Sequence, residues 1–268
     1  RSTLSSSSAA SDVYKRQGHV GFSTHGPTAL IAEACDSGAF DYVNLHWYYI
    51  RQDNSPALDA ARRQDMGVFI ISPTDKGGHL HTPSQRLLEL CAPLHPIVFN
   101  DLFCLQDPRV PTISVGAARP EDLELHLEAL HLLPDAASLI APVDQRLRQA
   151  ADEALGRDWM ATWSVGLPPW HATPGEINLP VLVWLYNLLE AWDLESYAKA
   201  RYGLLGSGGH WFAGANADGF DAEVSVEELQ SVLQESPWRQ RIPEILRSLK
   251  HRLKGESQTV SYTHLRAH

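Results

Sequence analysis

FDYVNLHWYYIRQDNSPALDAARRQDMGVFIISPTDKGG, residues Phe40–Gly78, reads in a single pass as strand, helix, strand and glycine-rich loop. YVNLHW (Tyr42–Trp47) is a short apolar run, and PALDAARRQ (Pro56–Gln64) has a proline in its first turn and helical spacing behind it. GVFIIS (Gly67–Ser72) is apolar until its last residue, the pattern of a strand buried on both faces. Two strands joined through a helix run parallel, because parallel neighbours need a long crossover connection.

The same alternation extends in both directions. Upstream, HVGFST (His19–Thr24) predicts a strand and PTALIAEACDSG (Pro27–Gly38) a helix that ends at glycine. Downstream, PSQRLLELC (Pro83–Cys91) predicts a helix, PTISVG (Pro111–Gly116) a strand, and PEDLELHLEAL (Pro120–Leu130) a helix opened by Pro120 and Glu121. Four strand–helix units predict an α/β fold: either half of an eightfold barrel or a small doubly wound sheet. In both, ligands gather beyond the carboxyl ends of the strands, which is where Ser23, Thr24, His25, Asn44, His46, Ser72, Asp75, Lys76, Gly116 and Arg119 fall.

After Leu133 the period becomes helical throughout. Ser138–Gly156, Leu179–Trp192, Leu194–Leu205, Ser225–Gln234 and Ile242–Gly255 all carry apolar residues at helical spacing. The loop WSVGLPPWHATPGEIN lies between the first two of them. An all-helical second domain over residues 134–258 is expected, following an α/β part over 18–133. The two ends read differently. RSTLSSSSAASDVYKRQ (residues 1–17) and the segment 259–268, containing VSYTHLRAH, resemble translated sequencing adapters and are set aside as non-native.

Composition narrows the functions available. A formal charge of −10 over 268 residues is the wrong sign for a nucleic-acid surface. No uncharged apolar run reaches the ~20 residues that a spanning helix needs, so no membrane partner is expected. Three scattered cysteines, Cys35, Cys91 and Cys104, suit neither a disulfide framework nor a thiolate cluster and point to a reducing, cytoplasmic setting.

Four loop motifs in fixed order, GFSTHG (Gly21–Gly26), FDYVNLHWYYI (Phe40–Ile50), DMGVFIISPTDKGG (Asp65–Gly78) and VPTISVGAARPEDLE (Val110–Glu124), resemble the fifth to eighth strand–loop units of the aldo/keto reductases. Those are (β/α)8 TIM barrels that use NAD(P)H to reduce an aldehyde or ketone. The resemblance implies that Ser23 and Asn44 hold the nicotinamide carboxamide. Ile71 stands where an aromatic residue commonly stacks on the nicotinamide ring, and Ser72 follows it. Lys76 belongs to the loop over the pyrophosphate. Gly116 leads to Arg119, which would pair with an adenosine 2′-phosphate, and to Asp122 in the first turn of the last helix. NADP(H) is thus the cofactor implied, with NAD(H) second, and a small carbonyl compound the substrate. The catalytic Asp, Tyr, Lys and His of the family come from the first four units. The chain is therefore expected to be an inactive part of a larger enzyme, with no catalytic residue of its own, prone to self-association through open sheet edges.

The helical tail resembles the ferredoxin-like extension of some of these reductases, with its cluster loops, GLPPWHATPGEINLP and GSGGHWFAGANA, devoid of cysteine. Two other readings stay open. One is a cofactor-binding, non-catalytic sensor or scaffold. The other is a metal-dependent barrel hydrolase using the pair His79 and His81 with His46, since imidazoles at such spacing can bind zinc. The aromatic group His210-Trp211-Phe212, with Trp170 and Trp184, reads as packing of the extension. Because iron–sulfur clusters are held by cysteine thiolates and none follows Cys104, purified protein is expected to lack stoichiometric iron and sulfide in elemental analysis.

Overall fold

The computed structural model describes residues 18–117, 119–207 and 212–254. The segments assigned to adapters, the end of the last helix's tail, and His210 and Trp211 lie outside the described residues. The chain divides into two compact units between Gln149 and Ala150.

The first unit is a four-stranded parallel sheet. Its elements run β1 (Gly21–Ser23), α1 (Thr28–Asp36), β2 (Tyr42–Leu45), α2 (Ser55–Arg63), β3 (Gly67–Ile71), α3 (Gln85–Cys91), α4 (Pro96–Leu105), β4 (Thr112–Ser114), α5 (Glu124–Leu132) and α6 (Ala136–Leu155). The strands lie side by side in chain order, β1-β2-β3-β4, all parallel. Among the described residues no strand order reverses, so these four strands contain no switch point of the doubly wound kind.

Side chains alternate across a strand. One face carries Val43, Leu45, Val68 and Ile70, all essentially inaccessible, with α2 against β3 and α4 against β4. The helices supply the complementary surface: Ala57, Leu58, Ala60 and Ala61 of α2 recur at helical spacing and are fully buried. The opposite face is not covered in this way, and Phe69, in the middle of β3, is 39% exposed. The expectation that β3 is buried on both faces therefore fails. An apolar sequence reports that a strand is central, and does not report which of its faces a neighbour reaches.

Two local expectations are also corrected. The connection from β3 to β4 contains a second helix, α4, whose Pro96 start is capped by His95 accepting from the Ile97 N–H at 3.2 Å. The helix after β4, α5, opens with a tight 3-10 turn at Pro120–Leu123, and the α-helix starts only at Glu124. No single helix among the described residues is long and apolar enough to cross a membrane.

The division between units falls inside α6, whereas the change of sequence period comes at Leu133–Pro134. The first part of α6 is tied into the sheet unit by side chains that a periodicity does not reveal. Asp144 accepts from the Tyr49 hydroxyl at 2.9 Å, and Arg146 Nε donates to the Leu90 carbonyl at 2.9 Å.

The second unit is helical: α7 (Arg157–Thr162), α8 (Leu179–Trp192), α9 (Glu195–Leu204), α10 (Val226–Ser231) and α11 (Ile242–Leu253). Its core forms around Trp159, which donates from Nε1 to Asn187 Oδ1 at 2.7 Å and meets Trp238 edge-on with centroids 5.1 Å apart. The Arg241 guanidinium lies 4.1 Å over the Trp159 ring. The α10 start is set by a reciprocal cap. Ser225 Oγ accepts from the Glu228 N–H, and a Glu228 carboxylate oxygen accepts from the Ser225 N–H. The irregular loops before α8 and after α9 are joined by backbone bonds, Asn178 N–H to Ala215 O and Ala215 N–H to Glu176 O, while Asn178 Nδ2 donates to Ala213 O at 2.7 Å.

In the first unit, α4 and α5 are fastened by a buried pair, the Asp101 carboxylate and His126 Nδ1. Asp101 Oδ1 and His126 Nε2 are buried without a hydrogen-bond partner among the described residues. Burial, offset in part by His126, holds the Asp101 carboxyl above its ordinary value of 3.8. A carboxyl raised in the folded state stabilises the fold most at low pH, and that contribution fades as pH rises through the raised value. In urea unfolding between pH 4 and pH 7, wild type is therefore expected to lose stability relative to Asp101→Asn as pH rises. A constant difference between the two would remove this role of the pair.

Candidate functional site

Ser23 ends β1 and is the register partner of Asn44 on β2, which in turn faces Phe69 on β3 and Thr112 on β4. Ile71, the last residue of β3, pairs with Ser114. Paired residues of parallel neighbours share a face, so Ser23, Asn44, Phe69, Ile71, Thr112 and Ser114 all stand on the uncovered side of the sheet. Ser23 is exposed, while Asn44 and Ile71 are half-buried. A hydroxyl and an amide side by side at strand carboxyl ends offer donors and acceptors to one planar polar group.

The loop after β3 closes tightly over the same ends. Ser72 has φ of 53° and donates its N–H to the Ser114 carbonyl at 3.2 Å, bridging to β4. The Lys76 N–H returns to the Ser72 carbonyl and the Leu80 N–H to that of Thr74. Gly77 is glycine because of this turn: a Cβ there would lie 1.8 Å from the Pro73 carbonyl oxygen. Asn100 of α4 anchors it, donating to Pro73 O at 3.1 Å and accepting from the Tyr49 N–H at 3.2 Å. One buried amide thus fixes the loops after β2 and β3 to each other. The Thr74 hydroxyl oxygen is buried and has no hydrogen-bond partner among the described residues.

Lys76 reaches across to the loop after β2, its Nζ 3.1 Å from His46 Nε2, and His25 Nε2 lies 3.1 Å from the same atom. The His25 and His46 rings are stacked, 5.2 Å apart. On the other side of His46, Nδ1 is 2.7 Å from the Tyr48 hydroxyl, which donates to the Ile71 carbonyl. With the tyrosine proton committed to that carbonyl, His46 donates from Nδ1, and its Nε2 lone pair faces Lys76 and His25. Burial, followed by the Lys76 ammonium and His25, pushes the His46 pKa down to about 3. His46 is therefore a neutral acceptor that orients Lys76 and, through Tyr48, the end of β3.

Beyond β4, Gly116 has no positive φ, and a Cβ there would meet nothing within 4 Å. Nothing among the described residues requires glycine at this position. Arg119 forms an ion pair with Asp122 at 3.0 Å, and Asp122 also accepts from the Arg119 N–H at 3.0 Å, so the two residues cap the turn that opens α5. The Arg119 side chain is 72% exposed.

No family model, curated protein or solved structure matches this chain.

Ser23, Asn44, Ile71, Ser72 and Lys76 are thus brought to one end of the sheet, with Gly116, Arg119 and Asp122 on the connection that leaves the adjoining strand. The metal arrangement of His46, His79 and His81 does not form. His79 pairs with Asp75 at 3.4 Å, His81 is exposed, and no three His, Cys, Asp or Glu side chains among the described residues are grouped to hold a metal ion. Sequence reasoning missed Asn100 and the role of His46 as a link between Lys76 and Tyr48. The Pro96 start and apolar run of α4 were a usable signal for the helix that carries Asn100. The His46 chain had none, because its members come from the loops after β1, β2 and β3.

A histidine depressed in the folded state stabilises the fold above its unfolded value of 6.5, and that contribution is lost as pH falls through about 3. In NMR titration the His46 ring is expected to stay neutral, protonated at Nδ1, from pH 8 to pH 5. Lys76→Met should move its titration upward by removing the nearby ammonium.

Proposed function

We propose that the chain is part of an NAD(P)H-dependent oxidoreductase that reduces an aldehyde or ketone, its sheet unit forming the last four strand–helix units of a TIM barrel of the aldo/keto reductase kind. The observation that carries this reading is the pairing of Ser23 with Asn44 on the open sheet face, under the same strand ends as the Ser72–Gly78 loop. Strands in unbroken chain order support a barrel segment over an open doubly wound sheet.

The residues present fit a dinucleotide. Ser23 and Asn44 would hold the carboxamide, and half-buried Ile71 would supply an aliphatic surface for the nicotinamide ring. Lys76, oriented by neutral His46, brings positive charge to the loop after β3, in which the Thr74 hydroxyl is a buried oxygen with no partner among the described residues. Open space around the Cβ position of Gly116 leaves room for close backbone approach of a ligand. Arg119, already set by Asp122, would meet an adenosine 2′-phosphate in a charge-assisted contact, favouring NADP(H) over NAD(H). The bound cofactor would supply hydride to a small carbonyl substrate. The cysteine-free helical unit is a frame without an iron–sulfur centre.

Titration of the chain with NADPH and NADH by tryptophan fluorescence tests the reading. Binding of NADPH is expected, and Arg119→Ala should weaken it about tenfold, ~1.4 kcal/mol, while leaving NADH nearly unchanged. Equal losses would remove the phosphate role, and absence of binding by either dinucleotide would remove the proposal.

A further inference from the structure

The helices on either side of β4, α4 and α5, are held very differently. α4 is buried along nearly its whole length, whereas α5 buries only His126 and Ala129. Glu124, Leu127, Glu128, Leu130 and His131 are exposed. An alanine contributes a single methyl group, so apolar burial does little to fix how far α5 slides or turns against α4. The directional contact between the two helices is the hydrogen bond of His126 Nδ1 with Asp101 Oδ2. That pair is a poor stabiliser, because Asp101 Oδ1 and His126 Nε2 are buried with no hydrogen-bond partner among the described residues. What it supplies is geometry: a bond with one length and one direction admits one register.

Each partner sits one step from a residue assigned above to a phosphate. Asp101 follows Asn100, whose amide holds the Pro73 carbonyl and with it the loop that carries Lys76. His126 lies in the first turn of α5, directly behind the Pro120–Leu123 turn that Arg119 and Asp122 cap. Arg119 therefore moves with α5, and the Lys76 loop with α4. We infer, on the dinucleotide reading above, that Asp101 and His126 are a positioning pair. They hold Arg119 in register with the Lys76 loop and so set the preference for a dinucleotide carrying a 2′-phosphate over one without it. Both are buried, so neither touches the ligand. A ligand held at its pyrophosphate by Lys76 alone is indifferent to where α5 lies; one that must reach both cations is not. The bond from the Ser72 N–H to the Ser114 carbonyl joins the same two connections at the sheet, but it fixes the end of β4 and not the rotation of the helix beyond it.

NADPH and NADH titrations of the full chain, paired with amide hydrogen exchange of the free protein, test this. Asp101→Val combined with His126→Leu replaces both partners by apolar groups, a change close to neutral for stability, so the far-ultraviolet circular dichroism should match wild type. The NADPH affinity of this double variant is expected to fall about tenfold while NADH binding is unchanged. Exchange over residues 120–132 should quicken, and α2 should keep its wild-type protection. Asp101→Asn keeps an oxygen for the His126 Nδ1–H and should retain both the preference and the protection. If the double variant does not fold, His126→Asn and His126→Gln make the same comparison. The asparagine amide stands in for Nδ1 and should keep the preference; the glutamine amide stands in for Nε2 and should lose it. Equal losses for the two dinucleotides, an undiminished NADPH preference, unchanged exchange over 120–132, or an Asp101→Asn protein that behaves like the double variant overturns the inference. Wild type that binds neither dinucleotide removes the proposed function, and exchange alone then decides whether the pair sets the register of α5.

Discussion

Parallel strands cannot be joined by a tight turn, and this constraint organises the sheet unit. Every strand must be followed by a crossover that returns the chain to the starting end, so all four carboxyl ends emerge together. The helices occupy one face of the sheet, and the apolar side chains of that face, Val43, Leu45, Val68 and Ile70, vanish beneath them. What remains is a second face, two edges and one end where loops converge. The candidate site lies where that face and that end meet. Its polar side chains sit there because the hydrophobic driving force was spent on the opposite side of each strand.

Holding such a site in shape falls to a few buried polar groups. Asn100 uses both ends of its amide to tie the loop after β2 to the loop after β3. His46 does the same for Lys76 and Tyr48, and it can do so only as a neutral ring, which burial and the adjacent ammonium enforce. Gly77 permits the loop to fold back on the Pro73 carbonyl. Each device is inexpensive in sequence, a single residue, and each acts between elements that are distant in the chain.

Much of this was readable beforehand. The four strands, the parallel arrangement and five of the six helices after Leu133 follow from the spacing of apolar residues, with boundaries shifted by a residue or a few; the short α7 (Arg157–Thr162) does not. The α4 helix was overlooked because its apolar run lacks a polar stripe: Pro96 to Leu102 are all buried, leaving no amphipathic period to detect. Full burial of β3 was a misreading of the same kind, since Phe69 is as apolar as its neighbours and yet stands on the open face.

By itself the sequence determined the class of fold, the order of its elements and the gathering of Ser23, Asn44, Ser72 and Lys76 near strand ends. These depend on local periodicity and on the connection rule for parallel strands. Only the tertiary structure decided which face of the sheet is open, that His46 links Lys76 to Tyr48, that Asp101 and His126 meet inside, and that α6 belongs in part to the sheet unit. Those outcomes depend on contacts between residues far apart in the chain, which no local pattern encodes.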